Sequence, residues 1–319
     1  MDFIIKKTTE LTEAERQSLL DCFNEVFEKN RTMEEMCNQY FNTPMGYSIH
    51  SLCIDEGRIV AAHTAFPSFY LVGDEKVKAF ITGDTMVKKG YRDGVVYMDI
   101  TTGLTSYMKK DGYAFSFGFP NENSYAVNKK TKQAIEIGRL DTFVLPYRIG
   151  GIKHGLGWLN PISKLFCHLW LSFSSIGANN DICKPLVHKD DETYNPSRYK
   201  RMDGKYQHIK QDDTEFYYKV KNHEGVRTAF LIDLVDKSER RFAEAVRYLL
   251  KTEKGSFDLL MYVGHLPKSI RRTGLFKFPR KYEPKHFYMT GKVYNKSLDS
   301  TLVYEINNWD VNLSDYDII

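Results

Sequence analysis

The stretch Ile81-Thr82-Gly83-Asp84-Thr85-Met86-Val87-Lys88-Lys89-Gly90-Tyr91-Arg92-Asp93-Gly94-Val95 joins an apolar run, a tight turn with two glycines and basic residues, and the start of a periodic segment. That order predicts strand, turn and helix. A turn feeding a helix N-terminus presents backbone N–H groups and the positive end of the helix dipole, which together make an anion site. Gly90 and Gly94 let the backbone approach a phosphate closely, and Arg92 adds a charge-assisted contact. The same pattern, taken alone, is equally a structural turn. A second polar run, Gly118-Phe119-Pro120-Asn121-Glu122-Asn123-Ser124-Tyr125, follows the periodic segment.

These residues need elements to position them. Residues 2–8 read as a strand, and Thr12 with Glu15 makes a capping box before a helix that carries Leu19, Leu20, Phe23, Val26 and Phe27 on one stripe. A second helix is predicted over Met33 to Phe41. Turn signals at Asp55-Glu56-Gly57 and Gly73-Asp74-Glu75 divide residues 48–88 into a three-stranded antiparallel meander. Val96, Ile100, Leu104 and Met108 then recur at steps of four until Asp111-Gly112. Tyr113 to Phe119 reads as a strand, Glu122 to Lys130 as a short helix, and Ile135 to Pro146 as one strand region. Two strands, a helix capped by Ser238 and a further strand over Phe257 to Val263 repeat this order in the last third.

Bulk properties narrow the class. A chain of 319 residues is longer than one core usually holds, so two domains are expected. The net charge of +4 excludes the global basic field of a nonspecific DNA binder. Cys22, Cys37, Cys53, Cys167 and Cys183 are odd in number and lack CxxC spacing, against both a disulfide framework and a zinc site. Met1 leads directly into a strand pattern without a secretion signal, so a cytoplasmic location is expected. The apolar run 162–176 is too short to span a bilayer, which needs about 20 residues. A buried or inter-domain helix is its ordinary reading; a peripheral membrane contact or partner surface is the other.

In this setting the residues resemble the GNAT superfamily, more narrowly bacterial acyltransferases with two GNAT-like domains, often associated with surface polysaccharide pathways. The resemblance implies a mixed α/β (α+β) fold of tandem GNAT-like domains, each a mostly antiparallel twisted sheet flanked by helices. Residues 1–147 would form the acyl-CoA-binding domain, 148–200 a connector with an apolar helix, and 201–319 a degenerate GNAT-like domain. In such proteins the end of the fourth strand holds the cofactor pyrophosphate on backbone amides. Val87, Tyr91, Arg92, Gly94 and Val95 match that stretch in order, while Lys89 replaces a usual proline and Asp93 stands where two residues are expected. An acid facing a pyrophosphate is electrostatically unfavourable, so Asp93 points outward or weakens binding.

The implied acetyl-CoA (acyl-CoA) contacts are Met86, Val87, Lys88, Tyr91, Arg92, Asp93, Gly94 and Val95, with Asn121 and Ser124 lining the opening for the pantetheine arm and no metal required. The tyrosine that protonates the leaving thiolate in many members is replaced by Asn128. Tyr125 is the candidate substitute, or else a packing aromatic at a helix start. A backbone N–H near Met86 or Val87 would stabilise the oxyanion. Asp84, then His63 and Glu25, are the candidate bases. Against each stands a plainer role, as solvent carboxylate, sheet histidine and helix-surface acid respectively, and deprotonation through water needs none of them.

At lower specificity, Arg198-Tyr199-Lys200-Arg201 and Trp309-Asp310 with Ser314-Asp315-Tyr316-Asp317 resemble elements of the family's C-terminal half. No glycine-basic loop precedes Ser238, so the second domain would shape the acceptor site without binding CoA. The expected activity is acyl transfer to a small-molecule amine acceptor such as an amino sugar or cell-surface precursor, with Phe66, Tyr70, Tyr113 and Phe115 offering ring faces. The alternatives are an aminoacyl-tRNA-dependent transferase of the cell-wall type and a catalytically silent GNAT-like binding protein.

Overall fold

The computed structural model describes the chain except residues 93, 202–205, 254, 284 and 316–319, and the side chains at 199 and 201. Asp93, the Tyr199 and Arg201 side chains, Tyr316 and Asp317 therefore lie outside the described set. The chain opens with β1 (Asp2–Lys7), α1 (Glu13–Phe27), α2 (Met33–Phe41), β2 (Ile49–Asp55), β3 (Arg58–Val72), β4 (Glu75–Val87), α3 (Val95–Lys110), β5 (Phe115–Gly118), α4 (Glu122–Thr131) and β6 (Ile135–Arg139). Next come β7 (Asp141–Pro146), α5 (Ile149–Ile152), α6 (Asn160–Ser174), β8 (Val187–Lys189) and α7 (Asp191–Arg201). The remainder holds β9 (Gln207–Gln211), β10 (Thr214–His223), β11 (Val226–Leu234), α8 (Glu239–Thr252), β12 (Leu259–Gly264), β13 (Phe276–Lys277), β14 (Tyr288–Val293) and α9 (Ser300–Tyr304).

Two compact units result, and neither is continuous in sequence. The first comprises Met1–Gly138, Val187–Gly204 and Tyr288–Glu305; the second takes Arg139–Leu186, Lys205–Phe287 and Ile306–Ile319. The consecutive division at 147 and 200 thus gives way to interleaved segments. Strand pairing is the cause. β14 comes from late in the chain to pair antiparallel with β5, and β7 pairs antiparallel with β12. The single strand region expected over 135–146 breaks at Leu140, with β6 in one sheet and β7 in the other. The stretch 148–200 is likewise divided: α6 belongs to the second unit, whereas β8 pairs with β3 and α7 follows it in the first.

In the first unit the sheet order is β1-β2-β3-β4-β5-β14-β6. The predicted capping box starts α1: Thr12 Oγ1 accepts from Glu15 N at 3.2 Å and Glu15 Oε2 from Thr12 N at 2.9 Å. Period-two alternation on β3 sends Ala62 and Phe66 into a cluster with Leu19, Leu20 and Phe23 of α1, and Ala61 and Ala65 into clusters with Ile100 and Leu104 of α3. Helices therefore cover both faces. Burying each such leucine or isoleucine contributes about 1.5–3 kcal/mol. Phe66, Tyr70, Tyr113 and Phe115 are all buried and serve this core, which removes them as acceptor platforms.

The second unit has sheet order β13-β7-β12-β11-β10-β9. Phe242, Val246, Leu249 and Leu250 on one stripe of α8 pack with Leu231 and Leu260 from the sheet and with Cys167 and Leu171 from α6. Here β10 and β11 pair antiparallel, α8 crosses over, and β12 returns parallel to β11. β3, β4, α3 and β5 have that same order and pairing in the first unit. Burial pushes Cys22 and Cys167 up to about 12, so neither supplies a thiolate at neutral pH. Among the described residues, no helix is long and apolar enough to cross a membrane.

Candidate functional site

β4 is paired on one edge by β3 along nearly its whole length, but on the other by β5 only from Ala79↔Phe115 to Thr82↔Gly118. Beyond that register the edges part. Pro120 removes a backbone donor, and Asn121 turns the chain into α4, its Oδ1 accepting from Ser124 N at 2.9 Å. Glycine is required where the fork begins: a Cβ on Gly118 would collide with Thr82 Oγ1 and lie 3.1 Å from Thr82 O.

On the β4 arm, the register with β3 slips between Ala62 and Thr64, so that Asp84 and Thr85 together oppose His63. This bulge holds Asp84 at φ 42°, a left-handed conformation that asparagine and aspartate tolerate better than most residues. It also re-aims side chains. His63 Nδ1 lies 2.7 Å from Thr85 Oγ1, and burial pushes its imidazole down to about 4, so His63 is neutral at physiological pH. Asp84 Oδ2 accepts from Tyr40 Oη at 2.9 Å and from Gln39 Nε2 at 3.4 Å, with Arg31 Nη1 3.6 Å away. Burial, with the Asp84 charge adding, holds the Tyr40 phenol well above its usual value, so it stays a donor.

Arg31, Gln39 and Tyr40 escaped the sequence reading. Gln39 and Tyr40 approach Asp84 across 45 and 44 residues of chain and Arg31 across still more, and no spacing rule links a helix to a bulge at that separation. Farther along the same layer, His50 bridges Thr64 and Thr8 at 3.0 and 2.9 Å, and burial lowers it to about 3.

The β4–α3 loop is open in part. Lys88 N donates to Val60 O at 2.9 Å, so this amide completes the β3 pairing and is withdrawn from the expected cradle. Lys88 Nζ pairs with Glu25 Oε2 at 2.7 Å, giving Glu25 a partner on the strand end in place of a role as base. Arg92 Nε donates to Val87 O at 2.8 Å, and Tyr91 Oη to Asp55 Oδ2 at 2.7 Å, bracing the turn. Met86 is buried against α1 and contributes backbone only. Gly94, at φ 91°, begins α3 with no side-chain cap, and a Cβ added at Gly90 or Gly94 would meet nothing within 4 Å. Gly90, Arg92, Gly94 and Val95 are exposed.

On the β5 arm, Tyr125 lies in α4 beside Asn121 and Ser124. Its hydroxyl donates to Glu136 Oε2, its ring stacks on Tyr288 at 3.9 Å, and the Glu136 hydrogen bond pushes its phenol up to about 12. Asn128 Nδ2 reaches Thr290 Oγ1 at 3.5 Å.

The corresponding fork of the second unit is filled. β11 and β12 pair only through Leu231↔Tyr262, and beyond them Asp233 receives Asn312 Nδ2 at 2.6 Å, Lys237 Nζ at 3.2 Å and Ser314 Oγ at 3.3 Å. The start of α8 is filled as well. Ser238 Oγ caps Arg241 N, Arg240 N donates to Asn179 O at 2.9 Å, and Glu239 is buried accepting Arg271 N and Arg272 N. The start of α8 is thus satisfied by its own chain, whereas the turn before α3 exposes Gly90 and Gly94.

Residues 7–129 match the family model described as an acetyltransferase (GNAT) domain. Comparison with curated proteins gave no match. Among solved structures, a GCN5-related N-acetyltransferase from Kribbella flavida aligns at 12% identity and TM-score 0.58, covering 92% of this chain and 72% of that one. Eis1 from Mycobacterium abscessus aligns at 14% identity and TM-score 0.56, covering 92% and 74%. A conserved protein of unknown function from Enterococcus faecalis, described as a probable N-acyltransferase, gives 12%, 0.56, 92% and 73%. At these identities the likeness is one of fold.

Proposed function

We propose that this chain, which carries a GNAT acetyltransferase domain and has the fold of GCN5-related N-acetyltransferases, transfers an acetyl or other short acyl group from acyl-CoA to a small-molecule amine. The observation that carries this reading is the contrast between the two forks: β4 and β5 part beside an exposed turn where a Cβ on Gly90 or Gly94 would meet nothing within 4 Å, while the β11–β12 fork and the start of α8 are occupied by the chain itself. A slot flanked by an exposed glycine turn that leads into a helix suits a diphosphate with an extended arm.

In this reading Gly90, Arg92, Gly94 and Val95 hold the diphosphate, and Asn121 and Ser124 border the arm. Acyl-CoA supplies an acyl group activated as a thioester. Beyond Thr82 the second edge of β4 has left its pairing with β5, and there a backbone N–H near Met86 can polarise the thioester oxygen. Asp84 accepts the amine proton directly or through water, held in place by Tyr40 and Arg31. Neutral His63 fixes Thr85, and through it the bulge. Tyr125 is poorly matched to the leaving thiolate: a phenol near 12 already committed to Glu136 gives up its proton reluctantly.

Calorimetric binding of acetyl-CoA, followed by CoA release with a panel of amino sugars, polyamines and peptides, tests the reading. Amine-dependent release supports it; binding without release under every acceptor favours a silent binding protein, and absence of binding removes it.

A further inference from the structure

Helix α6 is apolar on two sides. At about 100° per residue, Ile162, Leu165, Phe166, Leu169 and Phe173 fall within an arc of about 100°, with Cys167 and Leu171 opposite. Cys167 and Leu171 are buried in the core of the second unit, as expected for a packed helix. The other five are 50% to 71% exposed, and Trp158 before the helix and Ile176 after it extend the row. The ordinary reading of this run as a buried helix thus fails for its larger face. Seven large apolar residues in one row exceed the scattered exposure of ordinary surfaces and mark a docking face.

Charge identifies what docks. From Ile149 to Asn180 the sequence has Lys153 and Lys164 and no Asp or Glu. Beside the C-terminal half of α6 lies a groove of about 380 Å³, walled by Trp170, Phe173, Ile176 and Leu275 and bordered by Arg271 and Arg272. Both arginines are exposed, and their backbone is anchored by Glu239 Oε1, which accepts Arg271 N at 2.9 Å and Arg272 N at 3.0 Å. Arg272 Nη1 also donates to Ile176 O at 2.6 Å, joining the basic border to the end of the apolar row. Guanidinium groups beside an apolar trough match a phosphate headgroup above its acyl chains. A second copy of the chain would bring the same exposed arginines against themselves. The helix has 15 residues, too few to span a bilayer but suited to lying in its surface.

We propose that α6, with the groove bordered by Arg271 and Arg272, docks the protein onto an anionic phospholipid bilayer, the row from Trp158 to Ile176 entering the headgroup–acyl boundary. The face shares no residue with the proposed acyl-CoA site, so the proposal stands whether or not that assignment holds.

Sedimentation of the full chain with vesicles tests it. The protein should pellet with phosphatidylcholine–phosphatidylglycerol vesicles and partition at least about tenfold less onto phosphatidylcholine alone. Arg271→Glu/Arg272→Glu should remove that preference, and Leu169→Glu/Phe173→Glu should leave the protein in the supernatant, with circular dichroism and acetyl-CoA affinity as controls of folding. Failure of the wild-type chain to pellet with the anionic vesicles overturns the proposal. So does light scattering that shows a dimer which Leu169→Glu/Phe173→Glu converts to monomer, because the face then belongs to a second copy.

Discussion

Tyr40 Oη donates to Asp84 Oδ2 across 2.9 Å, joining a fully buried phenol on α2 to a residue held in left-handed conformation by the β4 bulge. The bond matters in two ways that can be separated. Tyr40→Phe leaves a partly buried carboxylate short of one donor, which should cost about 1–3 kcal/mol in urea unfolding. Asp84→Asn keeps the shape of the side chain but removes its capacity to take a proton. It should lower kcat/KM by about 10²-fold or more with acetyl-CoA affinity unchanged. Unaltered turnover in Asp84→Asn would leave water as the proton acceptor.

The open turn gives a charge test at a position with room. A Cβ on Gly90 meets nothing within 4 Å, and Gly90 has no positive φ to strain a replacement. Gly90→Glu should therefore keep the fold while weakening acetyl-CoA binding by about tenfold or more. Gly94→Glu should weaken it further, since φ 91° adds backbone strain to the charge. Gly94→Ala separates strain from charge, and calorimetry reads all three. Equal affinity across the set would remove the diphosphate from this turn.

Much of this arrangement is readable from sequence, and the reasons for the remainder are physical. Thr12 with Glu15, the stripe on α1 and the steps of four on α3 are local rules, and each marks an element the fold contains. The glycines at 90, 94 and 118 likewise announce positions where a side chain is unwelcome or unneeded. The Asp84 network is different, because a bulge is set by pairing with β3 and its partners arrive from α2. The exchange of β7 and β14 is also invisible locally, since each has the period of any half-buried strand. For α6, the apolar run pointed to a helix, but with apolar residues on both sides it left the exposed side undecided.

Two buried histidines predict how stability depends on pH. Burial lowers His50 to about 3 and His63 to about 4 in the folded chain, against about 6.5 unfolded. The unfolded chain therefore takes up protons first as pH falls below about 6.5. Stability should decline from there until the folded values are approached, by about 1.4 kcal/mol per pH unit for each histidine. Urea unfolding at intervals from pH 7 to 5 measures the slope, and His50→Gln should reduce it by one proton's contribution. A stability flat across that range would contradict the neutral, buried assignment of both rings.

Tyr125 offers a test of the leaving-group step. Its hydroxyl is committed to Glu136 and its ring to Tyr288. Tyr125→Phe keeps the stack and should retain most of the turnover, well short of the roughly 10²-fold loss that removal of a general acid brings. A loss of that size, together with a shift of the alkaline limb of the rate profile, would restore Tyr125 as the proton donor.

Gly118 tests the fork itself. Thr82 Oγ1 donates to Phe117 O at 3.4 Å, so the threonine is fitted against the last residues of β5 where the strands begin to part. A methyl group at Gly118 must displace that hydroxyl and press on Thr82 O, because the clash involves backbone as well as side chain. Gly118→Ala should destabilise the chain by about 1–3 kcal/mol and shift β4 against β5, where the pantetheine arm is proposed to enter. Pairing it with Thr82→Ala relieves the side-chain part of the clash while leaving the contact with Thr82 O. The double variant should recover part of the stability, and if the slot is the acyl-CoA channel, affinity for acetyl-CoA should recover in parallel. Stability regained with no change in affinity would separate the fork from cofactor binding.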